Sequence, residues 1–346
     1  MRKLVGMAMV RNEADIVESF VRYNLRLLDE LVMVVHSSTD ETLHIVEQLK
    51  HEGLPVIIHR NEEVGFDAKR WVNQAAQEIF ATRGADFLFM LDGDEFLKST
   101  SRAYLEDAIS AIPMGTAAAL RWESYVPMPI DLPTERNVIK RIQYRAAKEA
   151  KPIYKVTLSK RFYEDANLVV AVGNHSVTQA HDGKLIHVPH VAFRGATLAH
   201  FPVRTEAQLI SKALIGVWAS WVDQGGVNKD MNINVHWQKF YRELMASGQI
   251  SSERLRDIAL DYQHVQQNKG EAIDRTLIHD PLDIDFELKY TPAPATTALA
   301  SIAQWVEQLI DNPQAINRGD DSTSLQNRAA GQPLKRSIAR KRSSKG

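Results

Sequence analysis

The sequence predicts an α/β protein: a mainly parallel sheet flanked by helices, followed by a helical carboxyl-terminal extension. Three observations carry this. Short apolar runs alternate with stretches of helical periodicity over the first hundred residues. The connections between them are brief, as right-handed crossovers of parallel strands require. Beyond Thr205 helical periodicity dominates, and after Asn317 large apolar residues almost vanish.

Leu4 to Val10 is a continuous apolar run, the pattern of a strand buried on both faces. Asn12 is placed to cap a helix with Asp15 three residues on, and Ile16, Phe20, Tyr23 and Leu27 recur along one side. Leu31 to Val35 predicts a second strand. Asp40 to Lys50 predicts a second helix, with Thr39 as its cap and Gly53 near its end. Pro55 to His59 is the third strand, Phe66 to Ala81 the third helix and Asp86 to Leu91 the fourth strand. Ala117 to Trp122, Lys155 to Phe162 and Leu168 to Val172 read as later strands. Leu209, Ala213, Val217 and Trp221 form a helical stripe, Ser251 or Ser252 caps another helix, and Leu299 to Ile310 makes a last one. The expected division is residues 1–215 as an α/β domain, 216–316 as a helical region and 317–346 as a basic tail without a fold of its own.

Composition narrows the function. The chain has no cysteine, which excludes a disulfide scaffold, a thiolate zinc site and cysteine catalysis. Its 42 Lys+Arg and 43 Asp+Glu give a net charge of -1, but residues 317–346 hold eight basic and two acidic side chains. That is +6 for the tail and -7 for residues 1–316. An acidic body argues against nucleic acid as a partner. The apolar run after Arg2 and Lys3 is too short for a signal peptide, and none approaches the ~18 apolar residues of a membrane span. A cytoplasmic location is expected, and the tail's Lys335, Arg336, Arg340, Lys341 and Arg342 either stay solvated or contact anionic lipid at the inner face of the membrane.

Polar clusters follow every early strand: Arg11, Asn12 and Glu13, then Ser37 to Asp40, then Arg60 and Asn61, then Asp92, Asp94 and Glu95. The carboxyl edge of an open α/β sheet is where ligands bind. The sharpest cluster is FLFMLDGDEF. Carboxylates at Asp92 and Asp94 repel one another, and a divalent cation relieves that cost; hard oxygen ligands suit Mg2+ or Mn2+. Capping the next helix is the plainer alternative, but that helix begins near Ser101, too far on. Asp40 either caps its helix or accepts the imide N–H of a uracil. Lys69 and Arg70 open a helix where cations oppose the dipole; either a diphosphate nearby offsets this or they form an ordinary solvated first turn.

The stretches AMVRNEADIVESFVRYN, SSTDET, GFDAKRWVN and LDGDEF resemble family 2-type glycosyltransferases with a GT-A fold. The resemblance covers residues 3 to 125 well and 150 to 215 loosely. It implies a nucleotide-sugar donor, UDP-linked by expectation, with base and ribose near Arg11, Asn12, Glu13 and Asp40. The diphosphate would lie near Lys69 and Arg70, on a metal held by Asp94, Asp92 and His200. It further implies inversion, a glycan or lipid-linked acceptor, and a place in surface polysaccharide or glycan synthesis. His175 in VGNHSV resembles an element on the acceptor side. The family's usual base motif is not recognisable, and Glu123, His175 and Asp182 are the candidates for the general base. Two other classes stay open: a haloacid-dehalogenase-like phosphatase with a nucleophilic first aspartate, and a non-catalytic nucleotide-sugar-binding module. Trp218, Trp221, Trp237, Phe240 and Tyr241 are either core or an acceptor platform.

Overall fold

The computed structural model of the chain describes residues 1–63, 67–113, 115–131, 134–149, 153–181, 184–223, 235–247, 250–262, 274–295 and 298–311. The amino-terminal half runs β1 (Leu4–Val10), α1 (Val17–Asn24), β2 (Glu30–His36), α2 (Thr42–His51), β3 (Val56–Asn61), α3 (Ala68–Thr82) and β4 (Phe87–Asp92). Next come β5 (Glu95–Lys98), α4 (Arg102–Ser110), β6 (Ala117–Ser124), α5 (Val138–Arg141), β7 (Tyr144–Ala146) and β8 (Tyr154–Ser159). The chain continues through α6 (Lys160–Ala166), β9 (Leu168–Val170), β10 (Val177–His181), β11 (Lys184–His187), β12 (His190–Ala192) and β13 (Thr197–His200). It closes with α7 (Glu206–Asp223), α8 (Val235–Ser247), α9 (Ser252–Asp261), β14 (Leu277–His279) and α10 (Leu299–Asp311).

The main sheet has the order β3-β2-β1-β4-β8-β6-β13-β5, with β12 added on β6. The first four strands are parallel, as the alternation predicts; β8 inserts antiparallel between β4 and β6, and β5 closes the edge antiparallel to β13. Strand periodicity sorts the two faces. Leu4, Ala8 and Val10 pack toward α1, α2 and α4, while Val5 and Met7 pack toward α3 and α6. A third core joins Leu209, Ala213 and Val217 of α7 to Phe240, Leu244 and Ile258 of α8 and α9. Residues 277–291 return to the main body: β14 pairs β7, and the buried Glu18 carboxylate accepts the N–H groups of Lys289, Tyr290 and Thr291.

Four expectations change. The first helix begins at Val17 and is not capped by Asn12, which adopts φ 53° and ties its side-chain amide to Thr39 instead. The strand expected to run from Lys155 to Phe162 stops at Ser159, whose hydroxyl accepts the Phe162 N–H and starts α6. β5 was not foreseen, since EFLK reads as the end of one apolar run rather than a strand on the far edge of the sheet. The boundary at residue 215 falls inside α7, which passes Ile215 and Gly216 without a break. Ser251 caps its helix as predicted, and Ser101 caps α4, the helix expected near it. Among the described residues no helix is long and apolar enough to cross a membrane.

Candidate active site

A crevice of about 320 Å³ opens at the carboxyl ends of β1, β2 and β4. Its floor holds Arg11, Glu13, Asp92 and Asp94; its walls come from Trp122, from the turn Val172 to His175, from His200 and from α7. β4 ends at Asp92, and the chain turns through Gly93 and Asp94. A Cβ on Gly93 would lie 2.6 Å from Val10 Cγ1, so only glycine allows this turn to sit on β1. Glu95 folds back and accepts the Asp92 N–H at 2.9 Å, and burial raises its pKa well above the ordinary carboxylate range.

Each aspartate of the motif has its own cation. The Lys155 ammonium, fully buried on β8, donates to Asp92 Oδ2 at 2.5 Å and to the Gly173 carbonyl at 2.7 Å. Asn174 Nδ2 lies 3.5 Å from Asp92 Oδ1, so both oxygens of Asp92 face donors. Lys212 of α7 donates to Asp94 Oδ2 at 2.8 Å and stands 3.3 Å from Glu13. Arg204, also buried, donates twice to Asp15 at 2.7 and 2.9 Å and once to Glu13, and reaches within 3.7 Å of Asp94. Burial opposes ionisation of Asp94, but Lys212, His200 and Arg204 outweigh it and hold its carboxyl below the usual range. Burial of Glu13 wins over the same cations and raises its pKa.

The other oxygen, Asp94 Oδ1, faces His200 Nε2 across 3.7 Å, too long for a hydrogen bond. The His200 ring stacks on Trp122 with centroids 4.0 Å apart, its Nδ1 is buried without a hydrogen-bond partner, and burial lowers its pKa to about 4. A neutral imidazole nitrogen opposite a carboxylate oxygen is a donor pair that a hard divalent cation can bridge. Among the described residues no three His, Asp or Glu side chains are grouped as a closed metal site. Two protein ligands fit a cation whose remaining positions are filled by phosphate oxygens and water, the usual habit of Mg2+. Asp92, with Oδ2 held by Lys155, has only Oδ1 to offer, and that oxygen lies 3.5 Å from Asn174 Nδ2.

Arg11 lines the crevice with Nε and Nη2 buried and unpartnered, and burial lowers its pKa to about 10. A desolvated guanidinium without an anion is costly, and it points to an anionic or carbonyl-rich ligand. Asp40 does not line the crevice: its oxygens accept the N–H groups of Ala14 and Thr42 at 3.0 Å each, which makes it the side chain that starts α2 and a tie to the β1 loop. Thr39, expected as the cap, bonds to Asn12 instead. Lys69 and Arg70 are exposed on the outside of α3, where Arg70 pairs with Glu63 and Asp67. Their neighbours Ala68 and Val72 line the crevice in their place. Arg60 pairs with Glu47 outside it.

No protein-family model and no curated protein matches the chain. Among solved structures it is similar to residues 1–349 of S. aureus TarS, with 12% identity over 81% of this chain and 97% of that one and a TM-score of 0.32. It is also similar to a mannosyltransferase from Pyrobaculum calidifontis, solved with GDP-Man and Mn2+, with 16% identity over 90% of this chain and 88% of that one and a TM-score of 0.37. A glucosyl-3-phosphoglycerate synthase from Mycobacterium tuberculosis, solved with Mn2+ and UDP, has 18% identity over 35% of this chain and 44% of that one, with a TM-score of 0.24. Such distant likeness leaves the chemistry to be argued from the crevice itself.

Of the three base candidates, His175 alone is at the crevice among the described residues. Its Nδ1 lies 2.9 Å from the Tyr154 carbonyl and its ring meets Trp122 edge-on at 5.4 Å. Glu123 lies on the face of β6 opposite Trp122, bonded to Lys98 at 2.6 Å, and does not reach the crevice because strand side chains alternate. Asp182 lies outside the described residues, as do the tail 317–346 and the side chains of Trp221 and Trp237. Trp218 stacks on Trp305 of α10 at 5.5 Å and Phe240 is buried in the helical core, so both act in packing.

Sequence reasoning missed Lys155, Arg204, Lys212, Trp122 and Tyr262 as site residues. Tyr262, just past α9, meets the His200 ring edge-on at 5.7 Å, so the helical region completes the site. For Lys155 and Lys212 the available signal was a single charged residue in an otherwise uncharged element, YKVTLS and LISKALIG, where burial of a charge demands a partner.

Proposed function

We propose that the chain is a glycosyltransferase that moves a sugar from a nucleoside-diphosphate sugar, probed first as UDP-linked, to an acceptor hydroxyl with inversion. The observation that carries it is the Asp94 Oδ1 and His200 Nε2 pair at 3.7 Å, set beside the unpartnered Arg11 guanidinium at the sheet's carboxyl edge. Asp94 and His200 would hold Mn2+ or Mg2+. When bound, such a cation supplies charge to stabilise the leaving diphosphate.

The remaining chemistry belongs to the chain. Arg11 supplies donors to the nucleotide from the crevice floor, and Lys212 of α7 supplies a second positive charge on the wall. Gly93 lets the turn seat against Val10 of β1, which places Asp92 and Asp94 at the crevice floor. If Nδ1 of His175 donates to the Tyr154 carbonyl, Nε2 is left with a lone pair, which suits a general base for the acceptor hydroxyl. A Cβ on Gly173 would stand 2.8 Å from that Nε2, so glycine keeps the nitrogen uncovered. Desolvation of the ring and the neighbouring Lys155 push His175 down to about 4, which keeps it neutral at pH 7 with a lone pair to offer and makes it a weak base.

A haloacid-dehalogenase-like reaction would need a free nucleophilic Asp92, whereas Lys155 and Asn174 face both of its oxygens. The test is turnover. Purified protein with Mn2+ and a panel of nucleotide sugars should release nucleoside diphosphate, and Asp94→Ala should abolish this with the circular dichroism spectrum unchanged. A panel that yields neither release nor thermal stabilisation sinks the transferase reading.

A further inference from the structure

The two aspartates of the motif are not equivalent in their surroundings. Asp94 has one oxygen turned to His200, whereas Asp92 is bonded by Lys155 and approached by Asn174. Lys155 has a side chain only 1% exposed, and its ammonium lies among Asp92, the Gly173 carbonyl, Glu95 Oε1 at 3.5 Å and the Trp122 ring face at 5.5 Å. A buried ammonium so enclosed is a fixed charge of the site.

What it fixes is the turn after β9. Gly173 and Asn174 are consecutive left-handed residues, at φ 78° and 59°, and only the first is a glycine. Such a conformation persists where surrounding contacts over-determine it. Here Lys155 holds the Gly173 carbonyl, Asp92 lies beside the Asn174 amide, and the Asn174 N–H donates to Ala171 O at 3.0 Å. The next residue is His175.

We propose that Lys155 is a resident cation that ties Asp92 to the turn carrying His175. Asp92 is then a positioning residue for the acceptor-facing wall, and the divalent cation is left to Asp94 and His200. This division of labour rests on the transferase reading only in its second half. The tether of Asp92 and Lys155 to the turn stands on the geometry of the chain alone.

Hydrogen exchange and Mn2+ titration separate the two halves. In the metal-free protein the Ala171 and Asn174 amides, which donate to Ser176 and Ala171 carbonyls, report the turn. Asp92→Ala and Lys155→Met should each speed their exchange about tenfold, the scale of one lost charged hydrogen bond. Combining the two should add little to Lys155→Met, and Asp94→Asn should leave these amides unchanged. Mn2+ affinity, measured with and without UDP, should stay within about threefold of wild type in Asp92→Ala and be lost in Asp94→Asn. The proposal is overturned if Asp92→Ala leaves the amides fully protected, or weakens Mn2+ binding as much as Asp94→Asn. If Lys155→Met does not fold, Asp92→Ala decides alone, since that side chain is 43% exposed and tolerates truncation. Should the wild-type protein take up no Mn2+, the transferase reading loses its cation, while the exchange result still decides the tether.

Discussion

Replacing Arg204 by Met is the sharpest single perturbation of the site's internal charge balance. Its guanidinium is fully buried and serves Glu13, Asp15 and the Phe201 carbonyl at once. Removing one partner of a buried ion pair costs about 3–5 kcal/mol, because the carboxylates left behind are uncompensated. Lys212 stays 3.3 Å from Glu13 and Asp15 is 25% exposed, which places the expectation at the lower end, about 3 kcal/mol. That is a large part of a typical stability of about 5–15 kcal/mol. Urea unfolding should show a lower midpoint at unchanged slope. The control is Arg204→Met with Glu13→Gln and Asp15→Asn, which removes the orphaned charges and should recover part of the loss. A loss below about 1 kcal/mol, or a triple variant no more stable than the single one, would refute the reasoning.

Acid should release the returning carboxyl-terminal segment. Burial opposes ionisation of Glu18, but the N–H groups of residues 289–291 and the Thr291 hydroxyl outweigh it and depress its pKa, while Arg22 above all lowers Glu52 to about 2. Groups depressed in the folded state stabilise it above the unfolded carboxyl value of about 4.3, and that contribution is lost as pH falls through the folded values. Amide exchange at 289–291, corrected for intrinsic rate, should therefore rise as pH drops from about 4 toward 2, and a flat profile contradicts the clamp. Gly93→Ala should destabilise the protein by about 1–3 kcal/mol in thermal unfolding, because its Cβ meets Val10 at 2.6 Å, unless β1 shifts. Deleting residues 317–346 should abolish any salt-sensitive binding to anionic vesicles, since it removes a net charge of +6 from an acidic body; unchanged binding would place the lipid contact elsewhere.

What was legible in the sequence is what local pattern encodes. Apolar runs such as LVGMAMV and FLFMLD could only be buried strands, and the helical spacing between them left a parallel sheet as the consistent layout. That placed Arg11, Asp92 and Asp94 at one edge. His200 was singled out only by the family resemblance, and the structure puts it on β13 at the same crevice. Strand parity was enough to turn Glu123 away from Trp122, but which face mattered depended on β6 lying between β8 and β13, a non-local pairing. The same non-locality hid Lys155. Its partner Asp92 is 63 residues away and meets it only because β8 inserts antiparallel beside β4. Asp40 and Arg70 misled for the opposite reason: their residue types suit a nucleotide, but local hydrogen bonds and ion pairs already satisfy them.

Thermal unfolding with UDP and GDP in the presence and absence of Mn2+ tests the central claim most directly. A ligand at a hundred times its dissociation constant stabilises the native state by about 2.7 kcal/mol, a shift of several degrees. The account predicts such a shift for one of the two nucleotides, dependent on Mn2+ and absent in Asp94→Asn. No shift with either nucleotide, or an equal shift in Asp94→Asn, would contradict it.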